Sequence, residues 1–104
     1  MNSRVIEVPN SVTVRSIAEF KDLLSPAFEA GDEIVLDLGA LRELDLSFIQ
    51  LVQSARQGVA GETRSIRLAQ PANEAVTALL GRAGFLTDPQ PADVEFWFHG
   101  DLPQ

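Results

Sequence analysis

The stretch Glu33-Ile34-Val35-Leu36-Asp37-Leu38 is almost continuously apolar through its middle. A run this short and this apolar is the pattern of a central strand covered on both faces, so the rest of the chain must supply the cover. The flanking segments fit that demand, because the apolar period switches between 2 and a helical value along the chain, as in an α/β layer fold. Upstream, Val5-Ile6-Glu7-Val8 reads as a strand stopped by Pro9-Asn10, and Val12-Thr13-Val14 follows at hairpin distance. A first helix is expected with Ile17, Phe20, Leu23, Leu24 and Phe28 on its apolar face. Ser16 and Glu19 have the spacing of a capping box. Pro26, inside that face, is expected to kink or split the helix, and Gly31 to end it.

Downstream, Gly39 to Leu44 reads as a loop or short edge segment. A second helix should run from Asp45 or Leu46 to Ala60 and stop at Gly61, with Phe48, Leu51, Val52, Ala55 and Val59 as its stripe. Ser65-Ile66-Arg67-Leu68-Ala69 alternates like a strand. Pro71 opens a third helix carrying Val76, Leu79, Leu80 and Ala83, and Arg82-Ala83-Gly84-Phe85 has the form of a glycine C-cap. Val94-Glu95-Phe96-Trp97-Phe98 reads as a last strand near a sheet edge, His99 as an exposed tail residue, and Gly100 to Gln104 as a frayed tail. Strands joined through helices favour parallel pairing, so the expectation is an α/β fold with a small mixed sheet of about 4–5 strands and helices packed on it. Residues 1–104 form one domain, with the core over about residues 5–98.

Charge and composition exclude several functions. Fifteen acidic residues against eight basic ones give a net charge of −7, the wrong sign for nucleic acid or an anionic membrane surface. The absence of cysteine removes disulfides, thiolate catalysis and cysteine metal sites, and a single histidine, His99, removes a multi-histidine metal site. No apolar run reaches the ~20 residues of a membrane span, and Met1 to Val5 lead into the first strand without a signal-peptide core. A cytoplasmic protein without membrane insertion is expected. No glycine-rich phosphate loop, nucleophile–base pair or carboxylate cluster of metal-ligand spacing stands in the sequence. The expectation is therefore a protein that is not an enzyme and takes no cofactor and no metal.

The informative segment is Leu44-Asp45-Leu46-Ser47-Phe48-Ile49-Gln50-Leu51-Val52. Asp45 or Ser47 is placed to cap the second helix. Leu46, Phe48 and Ile49 put three large apolar side chains in four positions, too many for one buried stripe. Phe48 is in phase with the core, which leaves Leu46 or Ile49 to mark an exposed contact patch. Gln50, Gln53 and Gln57 form a polar row, either a solvated face or the rim of an interface. Asp37 ends the central strand, where α/β folds place ligand sites. It is equally placed to accept amide hydrogen bonds from the loop that follows, the role favoured here.

Val35-Leu36-Asp37-Leu38, a short gap, and Asp45-Leu46-Ser47-Phe48-Ile49 together resemble the STAS family, the domain of bacterial anti-sigma factor antagonists. There a strand ending VLDL leads to a D-[ST]-[SA]-G-L turn that opens the next helix. Ala75-Val76, Leu79-Leu80 and Ala83-Gly84-Phe85 resemble a later segment of that family, so the likeness spans roughly residues 5 to 98 in pattern and order. The resemblance implies a protein-interaction module whose partner, an anti-sigma factor with serine kinase activity or another signalling protein, docks on Arg42, Asp45, Leu46, Ser47, Ile49, Gln50 and Gln53. In relatives switched by phosphorylation the acceptor directly follows the turn aspartate. Here that position is Leu46, the hydroxyl comes one residue later at Ser47, and Phe48 replaces the family's glycine. Many relatives also carry a further helix after the last strand, which this pattern omits. The resemblance therefore implies either an unswitched module or one whose phosphoacceptor has moved to Ser47. An alternative from the same family is a cytoplasmic subunit bound to the ATPase of a lipid-trafficking ABC transporter.

Overall fold

A computed structural model of the chain describes residues 2–102. In chain order the elements are β1 Ser3–Glu7, β2 Ser11–Val12, α1 Ile17–Ala30, β3 Glu33–Asp37, β4 Glu43–Leu44, α2 Leu46–Gly58, β5 Ile66–Leu68, α3 Glu74–Arg82 and α4 Pro91–Phe98. The apolar run at 34–36 is the central strand: β3 pairs in parallel with β1 on one side and β5 on the other. Register brings Ile6, Leu36 and Leu68 level across the three strands, and all three are buried. They face the helices, while Val5, Val35 and Arg67 share the opposite face. The α/β architecture expected from the periodicity is therefore present, with its strands divided between this sheet and a two-stranded parallel pair, β2 with β4.

That second pair replaces the expected hairpin. The Asn10 carbonyl accepts from the amides of Arg42 and Glu43, which draws β2 onto the segment before α2. Thr13 then turns the chain, its carbonyl accepting from Ser16, so Val14 leaves the strand. The Ser16 hydroxyl is occupied there as well, accepting from the Thr13 amide and donating to the Ser11 carbonyl. It makes no side-chain cap on α1, and the capping box with Glu19 does not form.

α1 runs unbroken through Pro26. Pro26 and Asp22, four residues earlier, are both exposed, so the carbonyl deprived of its donor is left to water and the helix survives. Gly31 ends it at φ +77°, a left-handed turn that only glycine adopts without strain. α2 stops at Gly58, two residues before the expected end, and α3 begins at Glu74 behind its N-cap Asn73, with Pro71 upstream of the helix. Gly84 closes α3 as the sequence indicates: its φ is +85°, and the Phe85 amide reaches back to the Leu80 carbonyl at 3.0 Å.

The expected last strand is a helix. Val94, Phe96, Trp97 and Phe98 favour strands, yet residues 91–98 form α4 with Pro91 at its start, where a missing amide costs nothing. Tertiary burial decides the outcome. Phe96, Trp97 and Phe98 are all buried, whereas a strand would turn alternate residues outward. The Trp97 carbonyl accepts from Ala72 at 2.7 Å, and Arg56 pairs with Asp93 at 2.7 Å while stacking on the Phe96 ring. His99 is exposed, as expected of a residue past the last element, and its Nε2 lies 3.0 Å from the Leu68 carbonyl. Of the segment expected to fray, Pro103 and Gln104 lie outside the described residues.

The core lies between the sheet and the helices. Phe48 of α2 is fully buried and stacks on Phe20 of α1 with ring centroids 5.4 Å apart. Burying an aromatic side chain of this size contributes about 1.5–3 kcal/mol, so this contact fixes α2, and with it the segment that precedes it.

Candidate docking surface at the start of α2

Asp45 organises the site. It is the N-cap of α2, and its Oδ1 accepts from the Ser47 amide at 3.0 Å and the Ser47 hydroxyl at 2.5 Å. Its Oδ2 accepts from the Val14 amide at 2.9 Å, which ties the turn after β2 to the first turn of α2. The Ser47 hydroxyl, then the Val14 amide, hold the Asp45 carboxyl below its ordinary range against the opposing effect of burial, with the Ser47 amide adding the least. Of the two capping candidates, Asp45 is the cap, and Ser47 contributes the hydroxyl that steadies it.

Leu46 follows at the first position of α2 and is 47% exposed. Ile49, the other apolar candidate, is 1% exposed and belongs to the core, so the expectation that it faces a partner is corrected. Helix geometry explains the split, since each residue advances about 100° around the axis. Ile49 then stands about 100° from Phe48, still within the buried side of the helix, while Leu46 stands about 160° from it and clears the core. Leu51, expected in the buried stripe, is half-buried on the other flank.

The structure adds a residue that sequence reasoning missed. Val14, expected inside a strand, is 70% exposed, and the bond from its amide sets it beside the cap. The one legible sign was a large apolar residue at the end of an expected strand, just before the polar pair Arg15-Ser16. Beside Leu46 runs a groove of about 440 Å³ floored by Ile49, Ala83 and Phe85 and edged by Gln50, Gln53 and Gln57. Its lining holds no ionisable side chain. Gln53 is partly engaged, its Oε1 accepting from Arg56 at 2.7 Å.

The remaining candidates lie to one side. Arg42 curls back on its own loop, donating to the Gly39 and Leu41 carbonyls at 2.7 and 2.9 Å. Asp37 serves its loop: Oδ1 accepts from the Gly39 amide at 2.8 Å and from Gln70 Nε2 at 3.3 Å. A second polar anchor, absent from the sequence reading, is Asn73. It caps α3 through the Val76 amide and donates to the Leu38 and Leu41 carbonyls, so the loop between β3 and β4 is held from α3.

The arrangement offers an apolar contact surface at the capped first turn of a helix that is anchored in the core. That is the geometry of a small α/β interaction domain. The sequence model described as "Mlab, STAS domain" matches residues 1–87 of the 104-residue chain, and the chain belongs to the STAS domain family. Domains of this family generally act through protein–protein contacts. Among curated proteins and among solved structures, nothing matches the chain. No helix among the described residues is long and apolar enough to cross a membrane.

Proposed function

We propose that this chain is a non-enzymatic docking module, a bacterial, cytoplasmic anti-sigma factor antagonist-like protein in a partner-switching or chemotaxis-type circuit. The observation that carries the proposal is Leu46, a half-exposed leucine at the first turn of α2, at the position that takes the phosphoacceptor in switched relatives. A phosphate there would sit well on the free amides of the helix, yet would bring about −1.5 to −2 charges into the interface. Leucine keeps the contact permanently apolar. The partner, a kinase-type anti-sigma factor or another signalling protein, engages Val14 and Leu46 with the Gln50 and Gln53 row as rim, and Arg42, Asp45 and Ser47 frame the contact.

Ser47 is the candidate acceptor if a switch operates. Its hydroxyl donates to Asp45, so phosphorylation would break the bond that steadies the cap and set a phosphate against a carboxylate. Intact mass and peptide mapping of protein isolated from its host decide this: an unmodified residue 47 is expected, and phosphate there would replace the unswitched proposal with a switched one.

A second proposal is a cytoplasmic subunit that grips the ATPase of a lipid-trafficking ABC transporter, favoured by the same absence of a hydroxyl at residue 46. Co-purification from the host with wild type and with Leu46→Asp tests both. A signalling kinase lost on Leu46→Asp supports the first, and a transporter ATPase lost on the same change supports the second. Capture of the same partner with undiminished yield by Leu46→Asp would refute the surface in either case.

A further inference from the structure

The three-stranded sheet is closed at one edge and open at the other. At β5, Ile66 and Leu68 are buried and α4 packs against the strand. At β1, Ser3, Val5 and Glu7 are all exposed, Val5 by 62%. The residues between and beside them serve β3. The Glu33 amide donates to the Asn2 carbonyl, and the Val8 amide donates to the Asp37 carbonyl. Backbone groups along a strand point to alternate sides, so those of Arg4 and Ile6 also face β3, and those of Ser3, Val5 and Glu7 face outward. Among the described residues, none of these outward amides and carbonyls has a hydrogen-bond partner.

The face of the sheet turned away from the helices is unfinished at the same place. Val35, at the centre of β3, is buried yet stands apart from the main core cluster. Its register neighbours on that face are Arg67 on one side and Val5 on the other. The apolar row that starts at Val35 therefore ends in the exposed Val5, at the open edge. Little on β1 wards off a further strand. No proline interrupts it. Its one cation, Arg4, lies on the helix side with Ile6 and is drawn to Asp32 at 3.1 Å.

We propose that β1 is a self-association edge: two copies of this chain pair antiparallel through it, about a two-fold axis at Val5, and join their sheets into one. The strand is self-complementary in this register. A two-fold contact sets each residue against its symmetry mate's counterpart, so Val5 faces Val5 of the second copy, Glu7 faces Ser3, and Arg4 faces Ile6. The outward groups of Ser3, Val5 and Glu7 then meet as hydrogen-bonded pairs, each exchanging two bonds. A carboxylate stands opposite a hydroxyl, and no like charges oppose one another. Centring the pair on Glu7 instead would set two carboxylates face to face, and centring it on Ser3 would leave half of the strand unpaired. The two valine rows meet end to end across the axis, which covers the exposed side of Val5. A strand pair of five residues is small beside the ~1,200–2,000 Å² of stable complexes, so the dimer is weak and reversible.

The absence of cysteine from the chain makes a register-specific test available. Single cysteines are introduced into the whole chain as Ser3→Cys, Val5→Cys and Glu7→Cys, all at exposed positions, and oxidised at equal protein concentration. Across the axis the two Val5 Cα atoms stand ~5.5 Å apart, within the ~4.4–6.8 Å that a disulfide spans. The two Ser3 positions, or the two Glu7 positions, are more than ~13 Å apart along the strands. Val5→Cys should therefore form crosslinked dimer at least about tenfold faster than either of the others. Sedimentation of the unmodified chain from about 10 μM to about 1 mM should show a monomer–dimer equilibrium. Val5→Lys, which places two ammonium groups across the axis, should weaken it about tenfold or more with an unchanged thermal melt. Leu46→Asp should leave the dimer intact. A monomer at every concentration, equal crosslinking rates for the three cysteine variants, or loss of association on Leu46→Asp would each overturn the proposal.

Discussion

Removing the carboxylate at residue 45 separates its two duties, capping α2 and tying it to the turn after β2. Asp45→Ala takes away an N-cap, about 0.5–2 kcal/mol and typically ~1. It also frees the Val14 amide, but Val14 is exposed, so water replaces that bond and the added cost is small. A total of about 1–2 kcal/mol follows, equivalent to a fall in Tm of about 4–15 °C for a domain of this size. Asp45→Asn keeps an oxygen for the cap and removes only the charge. The sign of the pH dependence follows from the lowered carboxyl pKa. The ionised group stabilises the fold above its unfolded value near 3.8, and that contribution disappears as pH falls through the lower folded value. Urea unfolding of wild type and Asp45→Asn, followed by circular dichroism from pH 7 downward, should show a constant gap to about pH 4.5 and a shrinking one below it. A gap that widens on acidification, or an Asp45→Ala variant as stable as wild type, would refute the role assigned to this carboxylate.

Phe48→Ala should cost about 3–5 kcal/mol in the same assay, since the ring is fully buried against Phe20. Leu46→Asp, two residues away but half-exposed, should stay within about 0.5 kcal/mol of wild type while losing its partner. Asn73→Ala should cost about 1–2 kcal/mol, because it removes a cap and one donor from each of the Leu38 and Leu41 carbonyls, which keep the Leu41 amide and the Arg42 guanidinium respectively. At Gly58 an added Cβ would lie 2.6 Å from the Phe28 ring. Gly58→Ala should therefore lower stability by about 1 kcal/mol on thermal unfolding, the crowding outweighing the gain in helix propensity.

What could be read from the sequence is what local chemistry decides. The run at 34–36 announces a central strand, Gly84 with Phe85 announces the end of α3, and Asp45 announces the start of α2, because each signal acts within a few residues. Position 48 is legible for the same reason, as helical phase alone puts Phe48 with Val52 and Ala55. Leu46 and Ile49 cannot be separated in that way. Their fates depend on which flank of α2 the rest of the fold covers, which no residue within α2 records. The pairing of β2 with β4 is set by bonds across some 30 residues (Asn10 to Arg42 and Glu43), with no pattern in either two-residue segment to announce it. At α4 the local preference of Val94 to Phe98 points the wrong way, and burial of three consecutive aromatic residues overrides it.

The bond from the Val14 amide to Asp45 joins segments 31 residues apart, so the grip that a partner would recognise has no counterpart in any short piece of this chain. Newly made or damaged copies, in which those two stretches have not met, would present nothing to hold. A partner docking at the head of α2, as proposed, would therefore count finished molecules only, with no separate inspector of the fold.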